Sequence, residues 1–218
     1  MKRLGMLTLG LAFCMISHAQ NNTPKNNTSF SIQGIEVKLS VPPTEGNAGS
    51  FTQIDVYTKT PATFKANDAW DVIPTDFLGD NKNLANSQYV FAKAEKGFSL
   101  LLLWGYAYPS GRDEVTILSA TPKNATLLHS GRIEEPLKFE DLDGDGATEL
   151  ICRNEPEMIS ANTGSYSPYI VYSYTQSSFS INKALSEAYN KKHYVWAGLK
   201  YREDIKVRFT GSKYVLEK

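Results

Sequence analysis

The chain is 218 residues long and carries 23 basic and 23 acidic side chains, a formal net charge of +0. That balance leaves no electrostatic footprint for nucleic acid, whose binding domains concentrate lysine and arginine on one face. The length allows one sizeable domain or two small ones.

At the N-terminus, "MKRLGMLTLGLAFCMISHAQ" sets Lys2 and Arg3 before an apolar segment from Leu4 to Ile16 and closes on the small-x-small pattern Ser17, His18, Ala19. This predicts a signal peptide over residues 1–19, cleaved before Gln20, and a secreted or periplasmic protein. A membrane anchor is the competing reading, but the run is shorter than the ~18 to 20 residues a bilayer needs. Cys14 follows bulky Phe13, which disfavours lipoprotein processing. Cleavage removes Lys2 and Arg3 and no acid, so 23 and 23 become 21 and 23, a net charge of −2 over the remaining 199 residues. No further long apolar run follows, so no membrane span is expected after cleavage. Cys152 is then the one cysteine left, an intramolecular disulfide is excluded, and stability has to come from a β-core or a bound ion. Alternating with Leu150 in an apolar run, Cys152 reads as a small buried hydrophobe rather than a catalytic thiol.

Residues 20–29, "QNNTPKNNTS", are polar throughout and read as a flexible spacer before a β-rich domain over 30–218, with a possible subdivision near 86. "FSIQGIEVKLSV" alternates as a strand, with a shift at Gly34 of the kind a bulge makes, and "SFTQIDVYTKT" is a second strand. Residues 64–86 show no clean period and read as irregular or a short helix. "QYVFAKA" and "FSLLLLWGYAY" have hairpin spacing across Glu95, Lys96 and Gly97, and "EVTILSA" and "TLLHSG" follow. "PLKFE" enters an acidic loop and "TELICRN" leaves it; "YIVYSYT" and "FSIN" form another pair, and "NKALSEAYNKK" is the best helical window. "DIKVRF" and "YVLE" form a terminal hairpin with Gly211 in its turn. The expected fold is mostly β: antiparallel sheets in a compact sandwich or blade-like arrangement with one short helix.

The acidic loop, "DLDGDGATE", places oxygens at Asp141, Asp143, Asp145, the Ala147 carbonyl and Glu149, which can converge because Gly144 and Gly146 permit a tight turn. Hard oxygen donors at this density suit Ca²⁺, which accepts ~6 to 8 of them in flexible geometry. An unoccupied acidic turn is the alternative, and mutual repulsion of the carboxylates weighs against it. An EF-hand is excluded, because position 12 is Cys152 and the flanks are strand-like. The pattern F-x-D-L-D-G-D-G-x-x-E-L resembles the calcium loop of FG-GAP or VCBS-type repeats, found in secreted bacterial proteins. The resemblance implies that Asp141, Asp143, Asp145, Ala147 (through its carbonyl) and Glu149 hold a structural calcium ion between two strands. Glu149 stands where that family more often has Asp. One copy of the loop excludes a full propeller, which needs ~4 or more blades.

Two further stretches are candidates for binding. Trp104, Tyr106 and Tyr108 share one face of a strand and could stack sugar rings, although packing on a sheet face competes with that reading. "NTGSYSPY" reads as a loop bearing Thr163, Gly164, Ser165 and Tyr166, and is similar to the Ser-Gly-x-Tyr loop of periplasmic lysozyme inhibitors, with Thr163 in place of Ser. That resemblance implies a partner cleft, such as that of lysozyme, receiving Tyr166. No H-E-x-x-H, G-x-S-x-G, P-loop or G-x-G-x-x-G is present, so no catalytic residue is assigned. The expected function is binding of an envelope glycan or protein by a calcium-stabilised domain. A carbohydrate-active hydrolase, with carboxylates gathered from different strands, is the alternative.

Overall fold

The computed structural model describes residues 27–40, 51–70, 90–107 and 112–217. The expected signal peptide, residues 20–26 of the spacer and the point near 86 lie outside the described residues. What is described is mostly β, in antiparallel sheets with one helix. No helix among these residues is long and apolar enough to cross a membrane.

The first sheet runs β1 (Asn27–Ile32), β2 (Ile35–Ser40), β3 (Phe51–Tyr57), β4 (Ala62–Trp70), β5 (Val90–Glu95), β6 (Phe98–Ala107), β7 (Arg112–Ala120) and β8 (Ala125–Gly131). Its order is β1-β2-β3-β4-β6-β7-β8, with β5 also on β6. Three expectations are corrected here. The spacer ends before Asn27, since Thr28 and Ser29 pair with Leu39 and Lys38, and ladder pairing uses backbone rather than apolar side chains. Gly34 is not a bulge: Gln33 and Gly34 have φ of 48° and 77°, the left-handed pair of a two-residue hairpin turn, and Ile32 faces Ile35. Residues 64–70 are strand rather than irregular, and their period is broken because Phe51 pairs with Trp70 while Gln53 pairs with Lys65.

That register jump bends β4. Beyond the bend Trp70 pairs with Gly105 of β6 and donates its indole N–H to Thr116 Oγ1 at 3.1 Å. β1–β4 therefore lie over one face of β5–β8, and Val37, Leu39, Ile54, Val56 and Trp70 share a core with Leu101, Leu103 and Leu118. At the far end, Lys59 and Thr60 donate backbone bonds of 2.9 Å to Pro122 and Lys123. The corner requires Gly105, where an added Cβ would stand 3.0 Å from the Ala69 carbonyl oxygen.

The other face of β5–β8 carries Phe91, Leu100, Leu102, Trp104, Val115 and Ile117, packed on Leu150, Cys152, Ile170, Tyr172 and Tyr174 of a second sheet. β6 is thus covered on both faces, which is why it reads as an unbroken apolar run instead of an alternation. The second sheet joins β9 (Pro136–Glu140), β10 (Glu149–Cys152), β13 (Ile170–Tyr174) and β14 (Phe179–Ile181) in the order β14-β13-β10-β9. A third, β11-β12-β15-β16, uses Met158–Ser160, Thr163–Tyr166, Arg202–Phe209 and Tyr214–Leu216.

Helix α1 (Lys183–His193) starts at Asn182, whose side chain accepts from Leu185 N. Its buried positions are polar, Ser186 and Asn190, so its amphipathic signal is weak. Ser186 Oγ accepts from Val171 N at 2.9 Å, and Asn190 accepts from Tyr169 N and donates to Tyr169 O at 2.9 and 2.7 Å. The two side chains occupy the place of a neighbouring strand along that stretch of β13.

Candidate metal hairpin and an aromatic cavity

β9 and β10 pair antiparallel, with Glu140 opposite Glu149, and the acidic loop closes the hairpin between them. The loop folds on its own carboxylates. Asp141 accepts from Gly144 N at 2.7 Å and Gly146 N at 3.0 Å, Asp143 from Asp145 N at 3.2 Å, and Asp145 from Ala147 N at 2.7 Å. Gly144 and Gly146, at φ of 78° and 84°, supply the left-handed backbone this needs. Glu149 reaches back from the strand to accept from Leu142 N at 3.0 Å.

These bonds bring carboxylate oxygens of Asp141, Asp143 and Glu149 within 4.8 Å of one another. Oxygens bound to one Ca²⁺ at ~2.3 to 2.6 Å can be no more than ~5 Å apart, so the three fit a single such ion. Asp145 is not in that cluster, and its carboxylate accepts instead from the Ala147 N–H. Asp141 and Asp143 are exposed, whereas Glu149 is 3% exposed. Burial, reinforced by the charges of Asp143, Asp145 and Asp141, raises the Glu149 carboxyl above its usual range, against the opposing Leu142 bond. A bound cation would offset that repulsion.

Thr148, next to Glu149, fastens the hairpin to the first sheet. Its Oγ1 donates to Glu95 Oε1 at 3.0 Å, lies 2.6 Å from the Tyr174 hydroxyl and accepts from Lys93 Nζ at 2.7 Å. Tyr174 also donates to Glu95 Oε1 at 2.8 Å, and Lys93 pairs with Glu95.

The residues expected on a partner-binding loop are placed otherwise. Thr163, Gly164, Ser165 and Tyr166 form β12, buried and flanked by β11 and β15, so the loop reading is corrected. Tyr166 is 0% exposed; its hydroxyl donates to Gly198 O at 2.7 Å and accepts from Ala197 N at 2.9 Å, and its ring stacks on Tyr194. Its surroundings come from 30 or so residues downstream, which no local pattern announces. Trp104 is 8% exposed in the inter-sheet core, where Tyr172 and Tyr174 face it as their alternation implies. The Tyr106 and Tyr108 side chains lie outside the described residues. Cys152 is 0% exposed and burial holds its thiol well above the usual range, as befits a core residue.

One feature has no precedent in the sequence patterns. A cavity of about 220 Å³ opens on the third sheet, lined by Arg153, Met158, Tyr194, Val207, Phe209 and Tyr214, with Gly164 and Ser165 also on its wall. Arg153 leaves β10 directly after buried Cys152, donates from Nε to Ser167 O at 2.9 Å and from Nη1 to Tyr169 Oη at 3.0 Å. Its guanidinium carbon stands 4.5 Å from the Tyr169 ring centre and 4.3 Å from that of Tyr194. Comparison with protein-family models, with curated proteins and with solved structures returns no match to this chain.

Proposed function

We propose that this chain acts by binding, as an exported β-domain whose β9–β10 hairpin takes up a structural Ca²⁺ and whose partner is an envelope glycan or protein. The observation that carries the ion is the convergence of Asp141, Asp143 and Glu149 on one point, at a hairpin whose next residue is fastened to another sheet. Asp145 and the Ala147 carbonyl would complete the oxygen set after a small rearrangement of the loop. The ion would hold the hairpin closed and, through Thr148, the second sheet against the first; no chemical step is assigned to it. Export rests on the signal-peptide pattern of residues 1–19 and is checked by mass spectrometry of the processed chain, expected to begin at Gln20.

The test of the ion is a melt of calcium-stripped protein with and without added CaCl₂. At a hundredfold excess over Kd, binding to the folded state alone contributes about 2.7 kcal/mol, a rise of several degrees. Asp143→Asn should abolish most of the rise. A wild-type melting temperature indifferent to both calcium and EDTA rejects the ion. Binding is examined separately, by titration calorimetry of the exported chain against envelope glycan fragments; absence of heat with calcium present removes the glycan form of the reading.

A further inference from the structure

We propose that the cavity on the third sheet binds a small organic carboxylate bearing one apolar ring or short branched chain, its carboxylate on Arg153 and its apolar part against Phe209 and Tyr214. The inference rests on the reading of the chain as a binding protein and not on the ion in the hairpin.

The cavity has two chemically distinct ends. At one, Arg153 is held by Ser167 O, the Tyr169 hydroxyl and two tyrosine rings set at 89° to each other. All of these partners are neutral, and among the described residues no carboxylate lies within ion-pairing distance of the guanidinium. Arginine in a positioned, partly desolvated setting favours a planar anion that can accept two parallel hydrogen bonds. At the other end stand Met158, Val207, Phe209 and Tyr214, which cross-strand pairing puts on one face: Val207 is opposite Gly164, Gly164 opposite Met158, and Phe209 opposite Tyr214.

The apolar end is open to solvent. Met158 is 59% exposed, Phe209 38% and Tyr214 37%, so an apolar group entering there gains burial from side chains the fold leaves wet. Gly164 keeps that face low: a Cβ there would stand 3.1 Å from Glu157 O and 3.3 Å from Met158 Sδ. A neutral ligand would leave the Arg153 charge unmatched and a cationic one would be repelled by it. The volume, about 220 Å³, suits a single ring or branched chain rather than a polymer.

The experiment is titration of the full exported chain, followed by NMR shifts and calorimetry, with phenylacetate, 4-methylpentanoate and the neutral isostere phenylacetamide. Saturable binding of either acid, roughly tenfold or more tighter than phenylacetamide, is expected from a hydrogen-bonded charge pair. Arg153→Met should remove that preference, and Phe209→Ser, at the exposed rim, should weaken both acids. Should Arg153→Met fail to fold, the comparison of phenylacetate with phenylacetamide in the wild type decides: equal affinity overturns the proposal. So does absence of saturable binding by both acids, or binding unchanged in Phe209→Ser. Acid binding should be retained when EDTA replaces calcium in the titration, so loss of the calcium response and loss of the cavity ligand are read independently.

Discussion

Thr148 Oγ1 donates to Glu95 Oε1 at 3.0 Å, joining the residue before buried Glu149 to a strand that belongs to a different sheet. Glu95 accepts at the same oxygen from Tyr174 and Lys93, so one carboxylate gathers three elements. Thr148→Val keeps the shape and removes the hydroxyl, leaving Lys93 without one of its acceptors. The expected cost is about 1 to 3 kcal/mol in urea unfolding. A variant as stable as the wild type would show that the junction is not a fastening.

Tyr166→Phe separates a structural tyrosine from one that meets a partner. Loss of the hydroxyl strands Gly198 O and Ala197 N, whose bonds to it are 2.7 and 2.9 Å long, and should cost about 1 to 3 kcal/mol. If stability is unchanged, the two hydroxyl bonds of Tyr166 are not what anchors the segment 194–199.

Gly105→Ala probes the corner between β4 and β6. The new Cβ would press on the Ala69 carbonyl at 3.0 Å, where backbone and not a flexible side chain must yield. Overpacking of this kind typically costs about 1 to 3 kcal/mol. Denaturant midpoints of the two proteins, compared at equal slope, measure it; an unshifted midpoint would mean that the corner opens freely.

Alkaline stability should be limited by tyrosines. Burial first, and then the acceptor Glu134, raise the Tyr172 hydroxyl far above its ordinary range; burial first, with Glu95 also contributing, does the same for Tyr174. In the unfolded chain both titrate near ~10. Because the folded values are raised, their stabilising contribution is complete below that pH and is lost as pH climbs above it, by up to about 1.4 kcal/mol per pH unit for each group. Tyr172→Phe should be less stable at neutral pH, through the lost 2.7 Å bond to Glu134, and should show a shallower alkaline decline. Equal slopes for the variant and the wild type above pH ~10 would contradict this.

How far the sequence carried depends on whether each contact is local. The alternation of Ile35, Val37 and Leu39 and the hairpin at Gly97 depend on near neighbours, and both are readable from residue order; the burial of "LLLL" on both faces is not, because it depends on Val37 and Ile54 on one side and Leu150 and Ile170 on the other. The acidic loop is readable, since each of its turns is closed by a carboxylate within seven residues. The bend in β4 is not, because its cause is a register jump against β3 that breaks the period of the strand itself. Arg153 and Tyr166 acquire their meaning from Tyr169, Tyr194 and Gly198, and only the fold brings these together. "NTGSYSPY" had the composition of a turn, but its flanks supplied two partner strands.

The side chains of Ser186 and Asn190 also bear on self-association. By occupying the backbone groups of Tyr169 and Val171, they deny that stretch of β13 to any incoming chain. Cutting the chain ahead of Lys183 would leave the Val171 N–H and both backbone groups of Tyr169 unpaired, an edge open to pairing with another chain.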